Sequence, residues 1–264
     1  MVYSRLIKEE IVSTQETKLN ENLKLKEKPK KSKDKNKRNM DGVFPEDVLR
    51  MLDKHIIGQD EVKRNISVAV CDHLRRVHLK GDLGQNIPKN NVFIIGPSGS
   101  GKTQTCRVLA KYLGLPFVDY DATSLSNVGY QGNSVDDIFE LLINKAGGDI
   151  ELAEKAIIFI DELDKKADTF SGQTSVSTVD VQNSLLKVIE GTEVIVKYKN
   201  IPMKIKTHNI MFIAGGAFND ANFWSTEKKG GVGLNSTQED NSEQISRNDL
   251  PRLLKSYGLN NQLV

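Results

Sequence analysis

Gly96-Pro97-Ser98-Gly99-Ser100-Gly101-Lys102-Thr103 carries the residue types that a phosphate chain requires, in the spacing G-x-x-x-x-G-K-[ST]. Glycines so placed let backbone N–H groups close around phosphate oxygens, and a helix that follows adds positive potential at its N-terminus. Lys102 would then reach the β- and γ-phosphates of ATP, and the Thr103 hydroxyl would bind Mg²⁺. A second, independent group lies farther along the chain, where Ile157-Ile158-Phe159-Ile160 runs directly into Asp161-Glu162. An acid at the C-terminal end of a buried strand stands where open α/β sheets place their ligands. Asp161 would hold the Mg²⁺ through its water shell, and Glu162 would polarise an attacking water as general base. Each group alone has a plainer reading. The first could be a Gly/Ser turn entering a helix, the second an acidic helical turn that complements a helix dipole. Their joint presence points to a site that holds and cuts the γ-phosphate of ATP.

Both groups need elements to position them. Asn91–Ile95 is a short apolar run that reads as a buried strand, and Gln104–Leu113 has apolar residues at helical spacing, so the glycine loop joins a strand to a helix. Pro116–Tyr120 is a further strand candidate. Upstream, order is expected from Phe44-Pro45, with Pro45 in a first helical turn. A long helix over Gln59–Lys80 aligns Val62, Ile66, Val70, Leu74 and Val77 in one stripe. Ser134 and Asp137 form a cap for a helix Val135–Ala146. An amphipathic helix ends at Ile189-Glu190-Gly191, and Val194–Lys199 with Met203–Lys206 forms a hairpin around Asn200. Asn209–Ala214 reads as another buried strand, Gly215-Gly216 as a turn, residues 225–247 as a polar mobile stretch, and Leu250–Tyr257 as a terminal helix. Strands alternating with helices predict an α/β fold: a mostly parallel sheet with helices on both faces.

The chain of 264 residues is long enough for one sizeable core. Its net charge of +2 conceals an imbalance, because residues 24–38 hold nine Lys/Arg against two acids and leave about −5 on the remainder. That tract includes Pro29 and almost no large apolar residue, so residues 1–42 are expected to be a disordered lysine-rich tail ahead of a folded domain over 43–264. No aromatic residues interleave with the lysines, which disfavours nucleic acid as a partner. Cys71 and Cys106 are too few and too scattered for a zinc site or a disulfide framework, and this fits a reducing cytoplasm. No apolar run reaches the length of a signal peptide or a membrane span, so a soluble cytoplasmic protein with no membrane partner is expected.

Leu52–Gln59, Gly96–Thr103, Asp121-Ala122-Thr123, Gly129-Tyr130-Gln131-Gly132, Ile160–Lys165, Leu185–Thr192 and Gly215–Phe218 follow one another in this chain. In that order they resemble the ClpX family of AAA+ unfoldases, the ATP-binding subunits of the Clp protease; HslU is the nearest competitor. The resemblance spans roughly residues 43–264. It implies the large subdomain of an AAA+ P-loop NTPase that binds ATP and Mg²⁺ and, when complete, works as a homo-hexamer. Such a ring would unfold protein substrates and feed them to a ClpP-like peptidase. It further implies that Ile56 and Ile57 pack against adenine, although by themselves they read as two ordinary core residues. Tyr130 matches the aromatic of the axial pore loop that grips polypeptide, with Gln131 replacing the family's Val. Val232-Gly233-Leu234 falls where the family carries its peptidase-docking loop, with Leu234 in place of Phe.

Departures accompany the likeness. A lysine-rich tail stands where the family has a zinc domain, a compact hairpin replaces the basic loop at the pore mouth, and Gly215 occupies a polar sensor position. The sequence stops at Asn261–Val264, before the arginine finger and the small helical subdomain, both expected to be absent. Because such a finger is worth on the order of 10³–10⁵ in rate, this chain alone is expected to bind Mg·ATP and hydrolyse it poorly. The alternative is a nucleotide-binding regulatory or degenerate relative without unfolding activity of its own.

Overall fold

The computed structural model describes residues 42–79, 84, 86–125, 134–167, 176–218 and 250–260. In chain order the helices and strands are α1 (Pro45–Asp53), α2 (Asp60–His78), β1 (Val92–Ile95), α3 (Lys102–Leu113), β2 (Phe117–Asp121) and α4 (Val135–Lys145). There follow α5 (Ile150–Ala153), β3 (Ile157–Asp161), α6 (Val176–Glu190), β4 (Glu193–Tyr198), β5 (Ile201–Lys206), β6 (Met211–Gly216) and α7 (Leu250–Tyr257). Short 3₁₀ turns cover Ala122–Ser124, Leu163–Lys166 and Thr207–Asn209.

The four strands β1, β6, β3 and β2 lie side by side in that order, all parallel. The near-continuous apolar composition of β1, β3 and β6 is that of a parallel sheet covered on both faces, whereas the edge strand β2 alternates, with Val118 and Tyr120 buried and Asp119 and Asp121 less so. Alternate residues of β3 divide between two cores. Ile157 and Phe159 join Ile94, Met211 and Ile213 beneath residues of α1, α2 and α3. Ile158 and Ile160 join Val118, Tyr120 and Phe212 beneath α4, α6, the β4–β5 hairpin and α7. The helices are therefore on both faces, as the alternation of elements predicts.

Local chemistry sets the boundaries. Pro45 opens α1 at its first turn, and Ser134 with Asp137 forms the expected capping box of α4, the Ser134 N–H donating to Asp137 Oδ2 at 2.6 Å. The β4–β5 hairpin turns at Lys199 and Asn200, whose φ values of 51° and 64° are those a two-residue hairpin requires. Three expectations need adjustment. The long helix starts at Asp60 because Gln59 takes a left-handed conformation, with φ 55°. A four-residue helix, α5, was not foreseen. Gly215-Gly216 is not a turn: both residues end β6, paired in register with Ile94 and Ile95. Glycine serves there for close approach, since a Cβ on Gly216 would lie 2.4 Å from the Phe218 ring. Among the described residues no helix is long and apolar enough to cross a membrane.

Candidate functional site

The glycine loop leaves β1 at Gly96, whose N–H donates to Gly216 O at 3.1 Å and so anchors the loop to the end of β6. Gly99 and Gly101 adopt φ of 78° and 88°, and Gly101 is the N-cap of α3. These conformations turn the chain sharply enough to leave the first N–H groups of α3 facing outward, where an anion is best received. Lys102 is buried, and its Nζ donates to Gly96 O at 2.7 Å and Pro97 O at 3.1 Å, so the ammonium is held across the loop that it would share with a phosphate. The side chain of Gln59 donates to Ser100 O, which ties the segment before α2 to the same loop.

The acidic group meets this loop from the neighbouring strand. Asp161 ends β3, and its Oδ2 accepts a hydrogen bond from Thr103 Oγ1 at 2.8 Å although the two residues lie 58 positions apart. Its Oδ1 accepts from the Glu162 N–H at 2.9 Å. Glu162 is exposed and takes a left-handed φ of 54°. Away from the hairpin turn, the left-handed residues other than glycine among those described are Gln59, Glu162 and Phe218. All three border this region, which is where proteins concentrate backbone strain that has a use. A cleft of about 410 Å³ lies between loop and acids, lined by Ser98, Gly99, Gly101, Lys102, Thr103, Gln104, Arg107, Asp161, Glu162, Asp164, Lys165 and Ala217.

Chemically, the cleft presents backbone donors and a lysine at one wall and carboxylates at the other. The described residues hold no cluster of three or more His, Cys, Asp or Glu side chains able to form a protein-only metal cage. Thr103 and Asp161 instead offer a hydroxyl and a carboxylate to a hard cation that keeps waters and takes its other ligands from phosphates, a donor set that fits Mg²⁺. Below them, burial and the Asp161 charge push the Cys106 thiol far above its ordinary range, so it stays neutral and inert.

Lys102, Thr103, Asp161 and Glu162 thus converge with Gly96–Gly101. Ile56 and Ile57 do not share one fate: Ile56 is 8% exposed within the α1–α2–α3 core, whereas Ile57 is 98% exposed and free to meet a ligand. Tyr130 and Val232-Gly233-Leu234 lie outside the described residues. Asp164 and Ala217 line the cleft without having been assigned a role from sequence; both sit inside recognised motifs, but the burial of Asp164 and the place of Ala217 at the cleft arise only from tertiary packing.

A strand–glycine loop–helix unit beside an acid-tipped strand, in a parallel sheet covered on both faces, defines a P-loop α/β domain. The chain belongs to the family of the AAA domain (Cdc48 subfamily), which matches residues 87–256. It is similar to the "ATP-dependent Clp protease ATP-binding subunit ClpX" of Borrelia duttonii (strain Ly), with 42% identity over 191 residues, 66% of this chain and 43% of that protein. The protein of the same name from Treponema denticola is 45% identical over 187 residues, 66% of this chain and 45% of its own length. The chain spans less than half the length of these curated relatives.

Proposed function

We propose that this chain is the ATP-binding part of a ClpX-like subunit, using Mg·ATP to drive work on protein substrates in partnership with a ClpP-like peptidase. The observation that carries the reading is the 2.8 Å contact between Thr103 Oγ1 and Asp161 Oδ2, which joins the phosphate loop to the acidic strand across the cleft. The names of the similar proteins support the partner class.

In this reading Lys102 exchanges its carbonyl partners for β- and γ-phosphate oxygens, and the outward N–H groups of the loop hold the remaining phosphate oxygens. Thr103 and Asp161 hold the cation and its water. When bound, Mg²⁺ neutralises charge on the phosphate oxygens. Glu162, exposed at the cleft and oriented by its strained backbone, accepts the proton of the attacking water. Ile57 offers an exposed apolar surface to the base, while Ile56 anchors that segment in the core. By resemblance, the complete protein is a hexamer whose Tyr130 grips polypeptide and whose Val232-Gly233-Leu234 loop docks the peptidase.

Equilibrium binding of Mg·ATP, followed by steady-state hydrolysis, tests the assignment. Lys102→Ala is expected to abolish binding, and Glu162→Gln to retain binding while removing whatever turnover the wild-type chain shows. Failure of the wild-type chain to bind nucleotide, or binding that survives Lys102→Ala unchanged, would overturn the reading.

A further inference from the structure

Asp164 sits in the 3₁₀ turn immediately after Glu162 and is only 1% exposed. Its Oδ2 accepts from the Phe218 N–H at 3.2 Å, which fixes the carboxylate plane. Its Oδ1 is buried and has no hydrogen-bond partner among the described residues. A buried carboxylate oxygen without a donor is costly, and native structures rarely keep one without reason. Asp164 nevertheless lines the cleft beside Asp161 and Glu162.

The end of β6 is shaped to allow this. A Cβ on Gly215 would lie 3.2 Å from Asp161 Oδ1, and a Cβ on Gly216 would lie 3.1 Å from Asp164 Oδ1. The two carboxylates therefore rest against consecutive glycines, and no side chain of β6 comes between either of them and that strand's backbone. Two of the three cationic side chains that line the cleft already have partners. Lys102 Nζ is engaged by two carbonyls, and Arg107 is paired with Asp119 at 2.7 Å. Phosphate oxygens accept and would repel a carboxylate. A nucleobase amino group belongs at the far end of a ligand whose phosphates occupy the Gly96–Thr103 loop. What a Mg²⁺-loaded nucleotide brings to an acidic corner is water polarised by the cation, because Mg²⁺ sheds its hydration shell reluctantly.

We infer that Asp164 is a positioning residue of the site, its Oδ1 accepting a hydrogen bond from a water bound to the nucleotide's divalent cation, an inference that rests on the Mg·ATP reading above. Asp164 thereby joins the cation's surroundings to the Phe218 amide and, through the Phe218 ring set edge-to-face with Tyr257 at 4.8 Å between centroids, to α7.

The test uses the whole chain and the non-hydrolysable β,γ-imido analogue of ATP, titrated with Mg²⁺ and again in EDTA. Asp164→Asn keeps an oxygen for the Phe218 N–H but puts an NH₂ donor where Oδ1 now offers an acceptor. It is expected to weaken binding in Mg²⁺ by about tenfold, the size of effect seen when groups behind a metal's ligands are lost. Affinity in EDTA and the melting temperature should not change. An unchanged Mg²⁺ dependence, or equal losses with and without Mg²⁺, would overturn the inference and leave Asp164 as a structural prop. Should the variant not fold, exchange of the Phe218 amide in the wild-type chain decides the matter. It is expected to slow when Mg²⁺ is added to the analogue-bound chain, and equal rates would overturn the inference. If the wild-type chain binds the analogue without regard to Mg²⁺, the Asp164 inference alone fails; if it binds no nucleotide, the functional reading fails with it.

Discussion

Gly215→Ala is expected to destabilise the domain through Phe159. The added methyl would sit 2.7 Å from Phe159 Cζ, 3.1 Å from Cε2 and 3.2 Å from Asp161 Oδ1. Phe159 is fully buried in the central strand β3, so its ring has nowhere to withdraw. Overpacking of this kind costs about 1–3 kcal/mol. Replacing glycine also restricts the unfolded chain, which offsets about 0.4–1 kcal/mol because the φ of Gly215 is not left-handed. Overpacking wins, leaving a net loss of about 1–2 kcal/mol, or about 2–8 °C in Tm for a domain of this size. Urea denaturation of wild type, Gly215→Ala, Phe159→Leu and the double variant forms a complete cycle. Phe159→Leu alone should cost about 1–2 kcal/mol for the cavity it leaves. In the double variant the smaller side chain receives the methyl, so the two changes should couple favourably by about 1 kcal/mol. Additive losses, or a Gly215→Ala variant as stable as wild type, would refute the packing argument.

Three further outcomes are expected. His73 is buried, lies 3.1 Å from Lys155 O through Nε2, and is pushed down to about 4 by that burial. Its neutral form is the folded one, so stability is present in full above the unfolded pKa and falls by about 3 kcal/mol as the pH drops from 6.5 towards 4. His73→Gln should flatten the slope of denaturant stability in that window, and an unaltered slope would refute the assignment. Thr103→Val removes the donor to Asp161 Oδ2 and should weaken Mg²⁺-dependent nucleotide binding by about tenfold while changing stability by only about 1 kcal/mol. Thr103→Ser should behave as wild type, and equal binding by the Val variant would count against the site. Gln182, buried on α6, donates to Lys166 O at 2.7 Å and Gly258 O at 3.2 Å and accepts from the Asn260 N–H at 2.7 Å. Gln182→Leu should speed exchange of the Asn260 amide by about tenfold or more, the cost of about 1–3 kcal/mol for an unsatisfied buried group; unchanged exchange would show that this contact does not hold the segment after α7.

The strands β1 and β3 were legible because burial on both faces writes itself as an uninterrupted apolar run, and the Gly96–Thr103 loop because its chemistry tolerates few substitutes. The cap of α4 was legible for the same reason, since Ser134 and Asp137 act within one turn. Gly215-Gly216 was misread because glycine has two uses, left-handed turning and close approach, and only the position of Phe159 and Phe218 tells them apart. α5 is too short to show a period, being closed by a single Asp149 cap to Leu152 N–H at 3.1 Å. Ile56 and Ile57 are adjacent and chemically identical, so nothing local could foretell that one is buried and the other exposed. Asp164 lies in a motif read for its first two acids; that it is buried with an open acceptor depends on β6, far away in sequence.

That distance has a consequence for how the protein comes into being. β6 lies between β1 and β3, with Val92 paired to Ile213 and Ile157 paired to Met211. The other three strands leave the ribosome first, at about 5–20 residues per second, and wait for it. Until Gly216 emerges, Thr103 and Asp161 have no spacer to set them a hydrogen bond apart, and the facing edges of two apolar strands stand open to other chains. If the proposed site binds nucleotide, its affinity would therefore arise only once β6 is in place. Because ligand binding stabilises only the folded form, a nucleotide in the medium draws finished chains toward the native state and does nothing for unfinished ones.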